Sequence, residues 1–147
     1  MKKYRKAFSM VELVFVIVIV GILAAVALPR LAMSRDDAQI AKAKTTLASV
    51  RSAISAEKQK RILKGQFTAI GDLGDGDYAF STFRTTGNDV LNYPMKNCSA
   101  LGESDGCWTR ENNSTYKYTL PNGTTATFTL GSNKLICSAG ECAKLED

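Results

Sequence analysis

The sequence predicts an α+β fold: a long N-terminal α-helix, with a transmembrane half and an amphipathic half, packed on a small antiparallel β-sheet. Three observations predict it. Leu13 to Leu28 is an unbroken apolar run; Ile40, Ala43, Leu47, Val50 and Ile54 recur at 3,4 spacing in a stretch free of Gly and Pro from Arg30 to Lys64; and Thr- and Tyr-rich runs flank an Asn-Gly turn near the C-terminus. A chain of 147 residues has room for one domain and one appendage.

The helix begins in the apolar run. Phe8 to Leu28 is 21 residues, about 31 Å of helix at about 1.5 Å per residue, against a hydrocarbon core of roughly 30 Å. It is long enough to span. The cluster Lys2-Lys3-Tyr4-Arg5-Lys6 ahead of it belongs on the cytoplasmic side by the positive-inside rule, so everything after Pro29 lies across the membrane. A secretory signal is the alternative, with Ala24, Ala25 and Ala27 as a small-residue cleavage site. Against it stands Glu12, which the apolar core of such a signal excludes. A carboxylate in this setting costs a few kcal/mol unless it is paired. Lys6 is six positions away, too far for an i,i+4 pair. A partner has to come from snorkelling, from headgroups or from another molecule.

After Pro29 the composition changes to Ala, Gln, Lys, Ser and Leu, and the stripe from Ile40 to Ile54 needs a surface to cover. Ser34 with Asp37 reads as a local cap after the proline, and Pro29 as an interruption of one helix from Phe8 to Lys64. Beyond Gly65 come Thr115 to Leu120, a turn at Pro121-Asn122-Gly123, Thr125 to Leu130, a turn at Gly131 to Asn133, and Lys134 to Ser138. These form a three-stranded meander in which Asn-Gly supplies positive φ angles. The helical stripe covers its apolar face. Gln66 to Arg110 is a long connection. The division is thus a leader at 1–7, a membrane helix at 8–29, an amphipathic helix at 30–64 and an exported head at 65–147.

Charge is unevenly placed. The net charge of +5 owes four positive charges to the residues ahead of Ala7; Arg30 to Lys64 carries nine basic and three acidic residues, and Gly65 to Asp147 six basic and ten acidic. An acidic head argues against nucleic-acid binding through bulk charge. Histidine is absent from the sequence, which excludes Ser-His, Cys-His and HExxH chemistry. No catalytic residue and no cofactor is expected.

Cys98, Cys107, Cys137 and Cys142 all follow the membrane run and allow three pairings. An oxidising compartment and two local pairs, Cys98 with Cys107 and Cys137 with Cys142, are the favoured reading. A structural zinc is the rival, and the C-x8-C and C-x4-C spacings lack the C-x2-C that zinc usually takes.

The stretch Ala7-Phe8-Ser9-Met10-Val11-Glu12-Leu13, followed by the aliphatic run, Gly21 and Pro29, resembles the processing site of type IV prepilins and of the pseudopilins of type II secretion and DNA-uptake machines. The resemblance covers about the first 30 residues. It implies that an inner-membrane prepilin peptidase cuts between Ala7 and Phe8 and N-methylates the amine of Phe8; Ala7 stands where the family usually has Gly. It also implies a partner for the acid, since Glu12 matches the glutamate that pairs with the N-terminal amine of a neighbouring subunit. Gly21 and Pro29 match helix-weakening positions, which are either plain kinks or places where the helix extends on leaving lipid. The implied partners are sister pilin or pseudopilin subunits, the peptidase, an inner-membrane assembly platform and the membrane itself. The implied location is the bacterial inner membrane in single-pass form, then a filament.

Three details remain. Asp72, Asp75 and Asp77 with two glycines invite a calcium site, but EF-hand spacing and its closing glutamate are missing, so an acidic turn is the preferred reading. Trp108 reads as a core plug rather than a binding platform. Asn112, Asn113 and Asn122 head N-x-S/T patterns, the last better explained by its turn. The expected function is a structural subunit of an envelope filament serving secretion or DNA uptake. The runner-up is a non-polymerising bitopic protein with a periplasmic binding head, and an exported enzyme finds no triad or cofactor loop here.

Overall fold

The computed structural model describes residues 9–84 and 86–146, and of residues 29–32 the backbone alone. The basic leader, Ala7 and Phe8 lie outside the described residues. The chain divides into two compact units, Met1–Arg35 and Asp36–Asp147.

Helix α1 (Met10–Leu63) has 54 residues. It is continuous through positions 21 and 29, so the expected interruption at Pro29 is replaced by an unbroken helix, and Ser34 and Asp37 are interior residues rather than a cap. A single proline removes one donor, and the surrounding turns, rich in good helix formers, keep the remaining bonds. The helix ends where the sequence changes. Gly65, at φ +70°, takes the left-handed conformation that closes many helices, and Gly65 N and Gln66 N donate to the carbonyls of Ile62 and Arg61 (both 2.9 Å).

In the second unit the α1 stripe does what its spacing predicts: Ala43, Leu47, Val50 and Ile54 are buried, and Ile40 packs at the margin. The sheet has four strands, one more than expected: β1 (Cys107–Arg110), β2 (Thr115–Thr119), β3 (Thr125–Gly131) and β4 (Lys134–Gly140), antiparallel in chain order. Strand β1 escapes notice because it is four residues long and opens on a cysteine; pairing Trp108 with Tyr118 makes it a strand. Alternation is clean in the middle. Tyr116, Tyr118, Ala126, Phe128 and Leu130 point inward, and Lys117, Thr127 and Thr129 between them lie half-buried on the other face.

The turns differ in detail from the reading above. Between β2 and β3 the positive φ belongs to Gly123 (+79°) and not to Asn122, whose Oδ1 instead accepts from Thr124 N (3.1 Å) and Oγ1 (2.7 Å). Between β3 and β4, Ser132 (+51°) and Asn133 (+59°) form the two-residue turn with two positive φ angles.

Trp108 is core, in ring contact with Phe80 (5.1 Å), Tyr118 (5.1 Å) and Phe128 (5.7 Å). Rings of this size contribute roughly 1.5 to 3 kcal/mol each by burial. The long connection supplies Leu73, Ala79, Phe80, Phe83 and Val90 to the same core. Its backbone is tied down by Ala79 N to Met95 O (2.8 Å) and Asn97 N to Asp77 O (2.7 Å). Helix α2 (Cys98–Leu101) is a single turn before β1.

Both local disulfides are present. Cys98 bonds Cys107, joining α2 to the edge strand, and Cys137 bonds Cys142, fastening β4 to the short 3-10 turn at Cys142–Lys144. With both pairs bonded, no free cysteine is left to serve as a zinc ligand. Arg51 on α1 completes the closure by donating to Leu135 O (3.0 Å) and pairing with Glu146.

Candidate assembly segment

The N-terminal part of α1 carries aliphatic side chains on every side, where a globular helix carries them on one. From Met10 to Leu28 every residue is exposed, with mean hydropathy 3.0 over the most apolar window. A helix apolar all round is stable only where something apolar surrounds it, lipid or other helices. By length and composition it can cross a membrane. Its one ionisable residue, Glu12, lies in the first turn, where the helix dipole favours negative charge. Leu13 N donates to Ser9 O (3.1 Å), so the helical ladder already runs beside the acid. Among the described residues no cation pairs with Glu12.

The head handles its buried charges differently. Asp72 is buried against Arg110, which grips it with Nε to Oδ1 (3.1 Å) and Nη2 to Oδ2 (2.6 Å). Tyr116 Oη donates to Oδ1 (3.0 Å) and Gly74 N to the same oxygen (3.2 Å). Leu73 N in turn donates to Tyr116 Oη (2.8 Å), and Arg84 stands 3.6 Å from Oδ2. Burial alone raises the pKa of Asp72, but hydrogen bonds from Arg110, Tyr116 and Gly74 outweigh it and hold the carboxyl below its ordinary range. The same contact raises Arg110, while burial raises the Tyr116 hydroxyl. Gly74 is required at this spot, since a Cβ there falls 2.5 Å from the carbonyl oxygens of Tyr78 and Ala79.

This network bears on the calcium alternative. Asp72 is engaged by Arg110, Asp75 and Asp77 are exposed, and among the described residues no three metal-ligating side chains come together. The acidic loop has its own internal cation.

A second buried pair continues the α1 stripe. After Ile54 the 3,4 spacing runs on to Glu57 and Arg61, both buried. Glu57 accepts from Arg61 Nε (3.0 Å), Thr86 Oγ1 (3.0 Å) and Asn88 Nδ2 (3.2 Å). Burial raises its pKa, and the donors from Arg61, Thr86 and Asn88 together lower it further than burial lifts it. The sequence reading ended the stripe at Ile54 and passed over these two positions; the spacing itself was the signal. Arg110 and Tyr116, 38 and 44 residues from Asp72, had no such signal.

A family model described as the prokaryotic N-terminal methylation motif matches residues 2–28. The type IV narrow pilus major component PilA5 of Thermus thermophilus is 32% identical over 110 residues, covering 75% of this chain and 74% of that protein. No solved structure matches the chain. An N-terminal methylation motif over an all-round apolar helix, a long helix set on an antiparallel sheet, and this degree of identity to a pilus subunit together make the chain a member of the type IV prepilin and pseudopilin family.

Proposed function

We propose that the protein is a structural subunit of an envelope filament, processed at the membrane and assembled through the first half of α1. The observation that carries this is the position of Glu12: an acid inside an apolar helix, with no cationic partner among the described residues, within the span of the methylation motif. Cleavage between Ala7 and Phe8 frees an amine, and N-methylation leaves that amine protonated. A protonated amine on one subunit removes the penalty of an unpaired carboxylate on the next and sets their axial register. Prepilin peptidase performs the processing and an inner-membrane platform the assembly. The N-terminus is cytoplasmic and the head periplasmic before extraction. Gly21 and Pro29 let the intervening helix loosen as subunits pass from lipid to filament.

The small head, without a large disulfide-bounded variable region, favours a secretion or DNA-uptake filament. Likeness to a protein named as a major pilus component favours a second reading, a surface pilus. Immunogold electron microscopy of intact cells separates the two, because only the second puts long fibres outside the envelope.

Intact-mass analysis of protein extracted from membranes tests the proposal. The expected product lacks residues 1–7, carries one methyl on Phe8 and has all four thiol hydrogens missing. A product that keeps its leader in cells where the protein functions reduces it to a tethered bitopic protein and overturns the filament reading.

A further inference from the structure

The second unit has two open flanks, one on each side of α1, and each carries charge that the chain does not answer. On the first, beside β4, two hollows of about 230 and 100 Å³ adjoin at Asn133. Arg51, Lys58, Arg61 and Lys134 line them, and no Asp or Glu does among the described residues. Arg51 and Arg61 are paired within the chain, with Glu146 and Glu57. Lys58 and Lys134 are exposed and have no ion-pair partner among the described residues.

The second flank lies beside the long connection. There Asp75 and Asp89 line a hollow of about 270 Å³ that no described Lys or Arg lines. Both are exposed, and neither has an ion-pair partner among the described residues. A neighbouring hollow shares Leu91 and Asn92 with it and adds Tyr93 and Lys42, so the acid is confined to the first of the two. Apolar exposure falls on the same two flanks: Phe67 (82%) and Ile136 (52%) line the basic one, and Tyr93 (88%) stands beside the acidic one. Exposed apolar side chains set among charges are the anatomy of a protein contact.

The helix sets the two flanks apart. Its buried stripe runs through Ala43, Leu47, Val50 and Ile54. At about 100° per residue, Ser55, Lys58 and Ile62 fall about 50° to 110° to one side of that stripe, and Lys42, Thr46 and Ser49 about 70° to 130° to the other. Flanks so placed cannot meet within one copy. Between copies they can, and a contact between two unlike patches leaves one of each kind free at the ends, so it repeats along an open assembly.

We propose that the basic flank at Lys58 and Lys134 of one copy docks on the acidic flank at Asp75 and Asp89 of a second copy, covering Phe67 and Tyr93 in the same contact. Opposite charge at these two places sets which patches meet and in what register. This deepens the filament reading and rests on it for the presence of a second copy, though not for the two flanks.

The contact is tested on wild-type filaments sheared from cells and treated with a carbodiimide, which joins a lysine amine to a carboxylate it touches. The species running as a dimer under denaturing conditions is expected to contain links from Lys58 or Lys134 to Asp75 or Asp89. Dimers linked only elsewhere overturn the pairing. Charge reversal supplies the second arm. Lys58→Glu with Lys134→Glu is expected to lower filament yield about ten-fold or more, and adding Asp75→Lys with Asp89→Lys to the same chain is expected to restore it. Full yield from the first variant, or no recovery in the second, overturns the contact while leaving the filament reading in place. All four positions are exposed, and near-ultraviolet circular dichroism checks that each head is folded; if a variant is not, the wild-type links decide. Wild-type chains that form no filaments at all overturn the filament reading instead, and the same links sought in concentrated detergent micelles then decide the contact by the same outcomes.

Discussion

The first turns of α1 and the head each carry a carboxylate among apolar side chains, and treat it in opposite ways. Asp72 receives two bonds from Arg110, one from Tyr116 and one from Gly74, and Glu57 receives three. Glu12 has no cationic partner among the described residues. The apolar side chains repeat the contrast: Ile54 is 1% exposed and Ile17 59%. A unit that satisfies its own polar groups and covers its own apolar surface is a folded domain. A segment that does neither is one face of an interaction, and what completes it must be lipid or another molecule.

The contrast breaks most visibly at Arg110. Arg110→Ala leaves Asp72 in the core with neutral donors and only the exposed Arg84, 3.6 Å away, and removing one partner of a buried pair costs about 3 to 5 kcal/mol. The expected result is a head that loses near-ultraviolet circular dichroism well below the wild-type midpoint, with membrane insertion unaffected. The isoleucines sharpen the comparison. Ile54→Ala is expected to cost the head about 2 to 5 kcal/mol through lost burial and a cavity, while Ile17→Ala leaves the head's urea midpoint where it was. Replacing Cys98 and Cys107 by serine opens a loop whose ends are 9 residues apart in sequence, and is expected to cost roughly 2 to 4 kcal/mol, read by the same urea titration.

Titration gives the smallest effect. Asp72 and Glu57 have folded pKa values below their ordinary ones. Their contribution is therefore complete above about pH 4 to 5, where the unfolded carboxyls have already ionised, and is lost as pH falls through the lower folded values. Tyr118 runs the other way: burial, with Asp105 nearby, pushes it up to about 12. Its contribution is complete below the ordinary tyrosine value of about 10 and is lost between that and the folded value. Melting temperatures are expected to be level from pH 5 to 9 and to fall on both sides, and a decline that begins at pH 6 to 7 contradicts the assignment.

Patterns that repeat along the chain were legible beforehand. The 3,4 spacing from Ile40 to Ile54, the alternation in β2 and β3, the apolar run and the two close cysteine pairs all depend on neighbours in sequence, and each is found as expected. Features that depend on distant pairing were not. Strand β1 exists because Trp108 meets Tyr118, and Asp72 is neutralised by a residue 38 positions away. Local composition alone reads the first as part of a loop and the second as part of an acidic turn. Glu57 and Arg61 lie in between: their spacing continues the buried stripe, and Thr86 and Asn88, distant in sequence, supply the donors that let Glu57 be buried there. Glu12 was legible as an anomaly, since the resemblance names its partner as another subunit's amine, outside the described residues.

Glu12→Gln puts that partner to the most direct test, because it keeps the shape and hydrogen-bonding capacity of the side chain and removes only the charge. Full-length protein carrying it, expressed in cells with the processing machinery, is expected to insert, to be cleaved after Ala7, and to show a loss of filaments of ten-fold or more by electron microscopy. Filaments of normal number and length from the neutral variant would contradict the claim that an amine on one subunit neutralises the acid on the next.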